Sequence, residues 1–172
     1  KRSVFSNDES LITFSFDDVE LVDDVLKDFV PILKARKKNF VTVEKPDKKM
    51  PLISADKKKV RMALFNVIDN AIKYTPKGSV KISFTLGASF LVMHVQDTGI
   101  GIPKGQTSQV FEKFFRAENA QLFQTSGTGL GLYVSKNIIE HHGGAVYFKT
   151  KENKGSVFTF SLPLPKKDKQ KK

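Results

Sequence analysis

The chain contains no cysteine. That absence excludes disulfide bridges and thiolate metal sites, and it fits a domain that works in a reducing, cytosolic compartment. No apolar run approaches the ~18 to 20 residues needed for a membrane-spanning helix. No signal-peptide pattern follows Lys1, so the sequence reads as a segment cut from a longer protein. Neither a P-loop nor a dinucleotide-type glycine fingerprint occurs.

What remains is still ample for a core. The 172 residues are 40% hydrophobic and include 15 Phe, which suits one folded domain rather than a disordered chain. The net charge of +11 is concentrated at residues 34–38, 57–61 and 166–172. These runs read as solvated faces and a basic tail. Aromatic residues are not interleaved with them, as a base-stacking surface would require, so nucleic acid is not expected as a partner.

Patterning divides the chain as follows. Residues 1–10 are polar and read as a linker or the end of a missing upstream element. Residues 11–16 alternate as a strand. Asp17 or Asp18 can cap a helix whose apolar positions are Val25, Leu26, Phe29, Ile32 and Leu33, with Pro31 predicting a kink or break. Residues 40–44 and 51–54 are short strands around a Pro-Asp-Lys-Lys turn. Asp56 caps a helix over residues 57–74. Residues 80–86 and 90–96 form a hairpin about Gly87-Ala88-Ser89. Residues 98–126 are irregular apart from a helical patch near residues 109–116, the mark of a functional loop or lid. A helix over residues 129–141 closes at Gly143-Gly144, and residues 146–150 and 156–162 form a last hairpin. This order predicts helices on one face of a mixed sheet.

Three segments carry chemistry. In Asn66-Val-Ile-Asp-Asn70-Ala, the helical repeat places Val60, Leu64, Val67, Ile68 and Ala71 on one side and Asn66, Asn70 and Lys73 on the other. An asparagine oxygen is a hard ligand suited to Mg²⁺, and Lys73 can meet a phosphate. Taken alone, the stripe reads first as the wet side of an amphipathic helix, and only the motifs that follow turn it toward a binding role. In Asp97-Thr-Gly99-Ile-Gly101-Ile-Pro103, a carboxylate ends an apolar strand and can accept a hydrogen bond from an exocyclic amino group such as adenine's. Asp-Thr-Gly also begins an aspartic-protease site, but such a site needs two copies and this chain has one, so a protease would have to be a homodimer. In Gly127-Thr128-Gly129-Leu130-Gly131-Leu132, glycines open a helix with free amide groups and a positive dipole end, a setting for phosphate. Together the three make the inventory of an ATP site.

With these residues in hand, the chain resembles the catalytic, ATP-binding domain of bacterial sensor histidine kinases, of the GHKL (Bergerat-fold) superfamily. The resemblance spans residues 11–165. It includes an asparagine box at residues 66–76, a first glycine box at 97–103, Phe111-Glu112-Lys113-Phe114-Phe115-Arg116 as the phenylalanine box, and a second glycine box at 127–132. Residues 155–163 resemble the closing strand. The resemblance implies an α+β two-layer sandwich with a mixed, mostly antiparallel sheet, and a mobile ATP lid over residues 98–127. It makes Asn70 the Mg²⁺ ligand with Asn66 beside it, Lys73 a phosphate contact and Tyr74 the aromatic packed on adenine. Asp97 becomes the adenine-binding carboxylate, with Gly99 and Gly101 shaping that pocket. Gly127, Gly129 and Gly131, with Thr128 and Leu130 between them, become lid hinge and phosphate cradle. Arg116 is a candidate γ-phosphate contact, and Phe111, Phe114 and Phe115 anchor the lid.

The family's phosphoacceptor histidine belongs to a separate dimerisation domain. The three histidines here, His94, His141 and His142, do not sit in its His-Glu or His-Asp motif. The implied activity is therefore presentation of Mg²⁺-ATP to a histidine outside this chain. The implied partners are that domain and the receiver domain of a response regulator, in a homodimeric, inner-membrane sensor whose kinase part is cytoplasmic and monomeric when isolated. Residues 166–172 read as a disordered basic tail. Two rivals share the frame. The superfamily's ATP hydrolases carry a Glu base where this chain has Asn66, and an amide cannot take a proton from water. A non-catalytic nucleotide-sensing module would show decay of Asn70, Asp97 or the glycine boxes, all of which are intact.

Overall fold

The computed structural model describes residues 12–15, 20–36, 40–44 and 52–165. Through them run β1 (Ile12–Ser15), α1 (Glu20–Lys27), α2 (Val30–Lys34), β2 (Val41–Glu44), β3 (Leu52–Ala55), α3 (Lys57–Lys73), β4 (Val80–Leu86) and β5 (Phe90–Asp97). A 3-10 helix (Lys104–Gln109), α4 (Glu118–Phe123), α5 (Gly131–His141), β6 (Ala145–Lys151) and β7 (Gly155–Pro163) complete them. The expected linker, the cap at Asp17 or Asp18, the Pro-Asp-Lys-Lys turn and the basic tail lie outside the described residues.

The main sheet has the order β2-β4-β5-β7-β6, with β2 parallel to β4 and every other pair antiparallel. β1 and β3 make a separate antiparallel pair. The two-layer α+β sandwich expected from the sequence is therefore the observed one. Side chains alternate across a strand with period two. In β5, Leu91, Met93 and Val95 turn inward, where the register sets them against Leu162, Phe160 and Phe158 of β7. On the outer face His94 lies between Thr85 and Thr159, within hydrogen-bonding distance of both.

α3 covers the inner face with Val60, Ala63, Leu64, Val67, Ile68, Ala71 and Ile72, all buried. Its start matches expectation, because the Asp56 side chain accepts from the Lys58 and Lys59 amides at 3.0 and 3.1 Å. α5 lies beside it, and the fully buried Ser135 hydroxyl contacts the Ala63 and Gly131 carbonyls at 3.1 and 2.9 Å.

The break expected near Pro31 is present, and two other expectations need correction. The helix through Val25 and Leu33 is two helices, broken at Asp28 and Phe29, and Pro31 stands in the first turn of α2, where its missing N–H costs no helical bond. The helical patch near residues 109–116 is absent. Helix occurs before it, as the 3-10 segment, and after it, as α4. Phe114 has a left-handed backbone, φ 64, and a right-handed helix cannot run through such a residue. The last long helix also begins at Gly131 rather than Gly129.

Candidate functional site

The strand alternation that buries Leu91, Met93 and Val95 carries one step further and buries a carboxylate. Asp97 is 8% exposed at the end of β5. Burial pushes its carboxyl above the ordinary value, while bonds from the Gly99 and Ser156 amides pull the other way. The Gly99 amide donates to Oδ1 at 2.8 Å. This is a desolvated acceptor with fixed direction, suited to a neutral donor group.

Asp97 lies on the wall of a cavity of about 380 Å³. α3 supplies Asn66, Asp69, Asn70 and Lys73, and Tyr74 caps the end of that helix at the same wall. The helical repeat that puts Val60, Leu64 and Val67 into the core thus turns the asparagine stripe toward the cavity, not toward open solvent. Asn66 Nδ2 donates to the Gly131 carbonyl at 3.2 Å, which ties α3 to the start of α5. Lys73 Nζ pairs with Asp69 one turn back.

Gly127, Thr128, Gly129 and Gly131 line the opposite side. No side chain caps the N-terminus of α5, and an uncapped helix start with its positive dipole end at a cavity wall is a setting that suits an anionic group. Gly129 has φ 67, and a β-carbon there would lie 2.6 Å from the Phe114 carbonyl carbon. Gly131 is under no such constraint, since its β-carbon would meet Asn66 at 3.5 Å, an ordinary contact. Arg116 also lines the cavity, with its guanidinium donating to the Thr125 carbonyl at 2.8 Å and to the Gln124 carbonyl.

Two predicted site residues do not reach the cavity wall: Gly99 and Leu130. Gly99 acts by close packing instead. A β-carbon there would lie 2.1 Å from the Tyr74 carbonyl oxygen, so only glycine lets the turn after β5 pass under the end of α3. The phenylalanine box divides three ways. Phe111 packs edge-on against Phe148 of β6, Phe115 lines the cavity, and Phe114 is 70% exposed.

Sequence reasoning missed several lining residues. Ile100, Ile102, Val110 and Phe158 add to the cavity's apolar lining, which suits a flat aromatic ring. Asp69 was within reach, being four residues before Lys73 on one helix face. Asn119 was not, for no periodic signal marks it. Its Nδ2 donates to the Gly101 carbonyl at 2.9 Å, and its buried Oδ1 has no partner.

Residues 55–166 match the family model described as histidine kinase-, DNA gyrase B-, and HSP90-like ATPase. The chain is 37% identical over 122 residues to the sensor histidine kinase WalK of Bacillus subtilis, covering 69% of this chain and 20% of WalK. It superimposes on the catalytic domain of histidine kinase ThkA with a TM-score of 0.72 and 28% identity, covering 90% of this chain and 97% of that one. A full-length ShkA structure in complex with AMPPNP is similar at a TM-score of 0.73 and 25% identity, over 93% of this chain and 32% of that one. The chain spans a fifth or less of the length of the curated relatives it matches.

Proposed function

Because this chain belongs to the histidine kinase-, DNA gyrase B- and HSP90-like ATPase family, we propose that it is the Mg²⁺-ATP-binding catalytic domain of a two-component sensor histidine kinase. One observation carries the reading. The buried Asp97 carboxylate, the asparagine and lysine stripe of α3 and the uncapped start of α5 surround a single cavity of nucleotide size. When bound, Mg²⁺-ATP supplies a γ-phosphoryl group for transfer to a histidine on a dimerisation domain outside this chain.

The residues divide the work of binding and orienting. Asp97 accepts from the adenine amino group, and Tyr74 packs on the ring. Gly101 and the Gly99 turn shape that end. Asn70 offers its oxygen to the metal, with Asn66 beside it. Among the described residues no group of three or more His, Cys, Asp or Glu side chains could hold a metal alone. An ion here would take its other ligands from phosphate and water, the usual habit of Mg²⁺. Lys73, Arg116 and the amides at Gly127, Gly129 and Gly131 neutralise and position phosphate charge, where most of the catalysis of phosphoryl transfer lies.

Transfer is favoured over hydrolysis by the amide at Asn66, which cannot act as a base. Two of the chain's histidines have structural duties. His94 sits among threonines, and both ring nitrogens of His142 are engaged, by the Ile138 carbonyl and the Asp56 amide. The acceptor histidine is thus assigned to the parent protein, read as a homodimeric, membrane-anchored sensor whose cytoplasmic part signals to a response regulator. No helix among the described residues is long and apolar enough to cross a membrane.

Calorimetric titration with a non-hydrolysable ATP analogue, with and without Mg²⁺, tests the reading. One-to-one binding strengthened by Mg²⁺ is expected, and Asn70→Ala should abolish the strengthening while leaving metal-free binding. No binding by the folded chain would overturn the proposal.

A further inference from the structure

We propose that Asn119, on the first turn of α4, is a specificity-determining residue that accepts a hydrogen bond from a ribose hydroxyl of the bound nucleotide. The inference rests on the nucleotide reading above. Asn119 lines the cavity from the lid side, and its amide is half used: Nδ2 donates to the Gly101 carbonyl at 2.9 Å, while Oδ1 is buried without a partner. Gly101 belongs to the turn that follows the buried Asp97. The donated bond therefore fixes the orientation of the amide and leaves its oxygen without a partner, covered in the empty cavity, so that a ligand hydroxyl would reach it through a small local shift of α4. Buried acceptors without partners are rare because each costs the desolvation of a polar group, and ligand binding is one way to satisfy them.

The donor inventory of a nucleoside triphosphate narrows the ligand atom. Phosphate oxygens accept and do not donate once ionised. An adenine nucleotide has only its exocyclic amino group and its ribose hydroxyls as strong donors. Asp97, as the buried charged acceptor, takes the amino group. The ribose hydroxyls and the second N–H of that amino group remain, and of these the proposal assigns a hydroxyl to Asn119 Oδ1. The proposal thus makes a lid residue, through one neutral acceptor, the element that distinguishes ribonucleotides from deoxynucleotides at this site.

The experiment is calorimetric titration of the whole chain with ATP, 2′-deoxy-ATP and 3′-deoxy-ATP, in wild type, Asn119→Ala and Asn119→Asp. Circular dichroism melting confirms that each variant is folded. Wild type should prefer ATP over one deoxy analogue by about tenfold, the worth of one hydrogen bond to a desolvated group. Asn119→Ala should lose that preference, binding ATP and the analogue alike. Asn119→Asp keeps an acceptor but loses the donor to Gly101, and it should retain a preference for ATP. If Asn119→Ala preserves the wild-type discrimination, or if wild type shows none, the ribose assignment is wrong. If Asn119→Ala and Asn119→Asp weaken all three ligands equally, the residue only tethers the lid, and the proposal also fails. Failure of wild type to bind ATP at all would instead remove the nucleotide reading, and this inference with it.

Discussion

The Phe114 amide donates to the Gly129 carbonyl at 3.0 Å, so the phenylalanine box and the second glycine box are fastened to each other backbone to backbone. Both residues have positive φ, 64 and 67. The segment between β5 and α5 thus turns on one close crossing, with Phe115 and Arg116 on the cavity wall and Phe111 packed against the sheet.

Gly129→Ala should break that crossing. The added methyl would lie 2.6 Å from the Phe114 carbonyl carbon in a backbone conformation that alanine resists. Affinity for an ATP analogue should fall by about fivefold to 150-fold, corresponding to a strain of roughly 1–3 kcal/mol. Calorimetry measures the loss. A variant that binds as wild type would show that the lid is not required for binding.

Asp97→Asn should separate binding from stability. Burial holds the Asp97 carboxyl above its ordinary value of 3.8. A group with a raised folded-state pKa contributes stability that is fully present below the unfolded value and is lost as pH rises through the folded value. The neutral amide removes that loss. Between about pH 3.8 and neutrality, the unfolding free energy of Asp97→Asn should therefore rise relative to wild type. Nucleotide affinity should fall more than about tenfold, since hydrogen bonds to charged groups are the stronger kind. Urea unfolding across that pH range, paired with calorimetry, reads both.

His142→Ala should do the reverse. The Asp56 amide donates to His142 Nε2 at 3.1 Å, and His142 Nδ1 lies 2.7 Å from the Ile138 carbonyl, which ties the end of α5 to the start of α3. Nδ1 must carry the proton for both contacts to hold. Loss of the ring should cost about 1–3 kcal/mol of stability. Nucleotide affinity should stay within about twofold, because the change is confined to one bonded network away from the cavity. Urea unfolding and calorimetry give the two numbers.

Asn66→Glu places a carboxylate where the family's hydrolases hold their base. It forfeits the bond from Asn66 Nδ2 to the Gly131 carbonyl, yet it can take a proton from water. Steady-state phosphate release from ATP should rise above the wild-type rate. No gain by a folded variant would count against a shared catalytic frame.

Much of this was legible before any coordinates, and the reasons are local. Asp56 caps α3 through amides two and three residues away. Strand alternation in β5 sets which face is buried, and the helical repeat in α3 sets which face carries asparagine. Motif order marked three segments that the structure brings to one cavity. Pro31 signalled the break between α1 and α2, although the two-residue position of that break was open.

The tertiary structure decided what distance along the chain conceals. No pattern in the sequence shows that the turn at Gly99 must slide under the Tyr74 carbonyl, or that Phe114 is left-handed because Gly129 crosses it. Nor does any pattern pair Asn119 with a carbonyl 18 residues earlier. Periodicity reports which face of one element meets the core, because backbone geometry repeats every few residues. Which elements then touch, and which polar atom is left unpaired between them, depends on packing across the whole domain. The sequence alone determined which side chains could line the cavity; packing across the whole domain determined which of them are already bonded to one another.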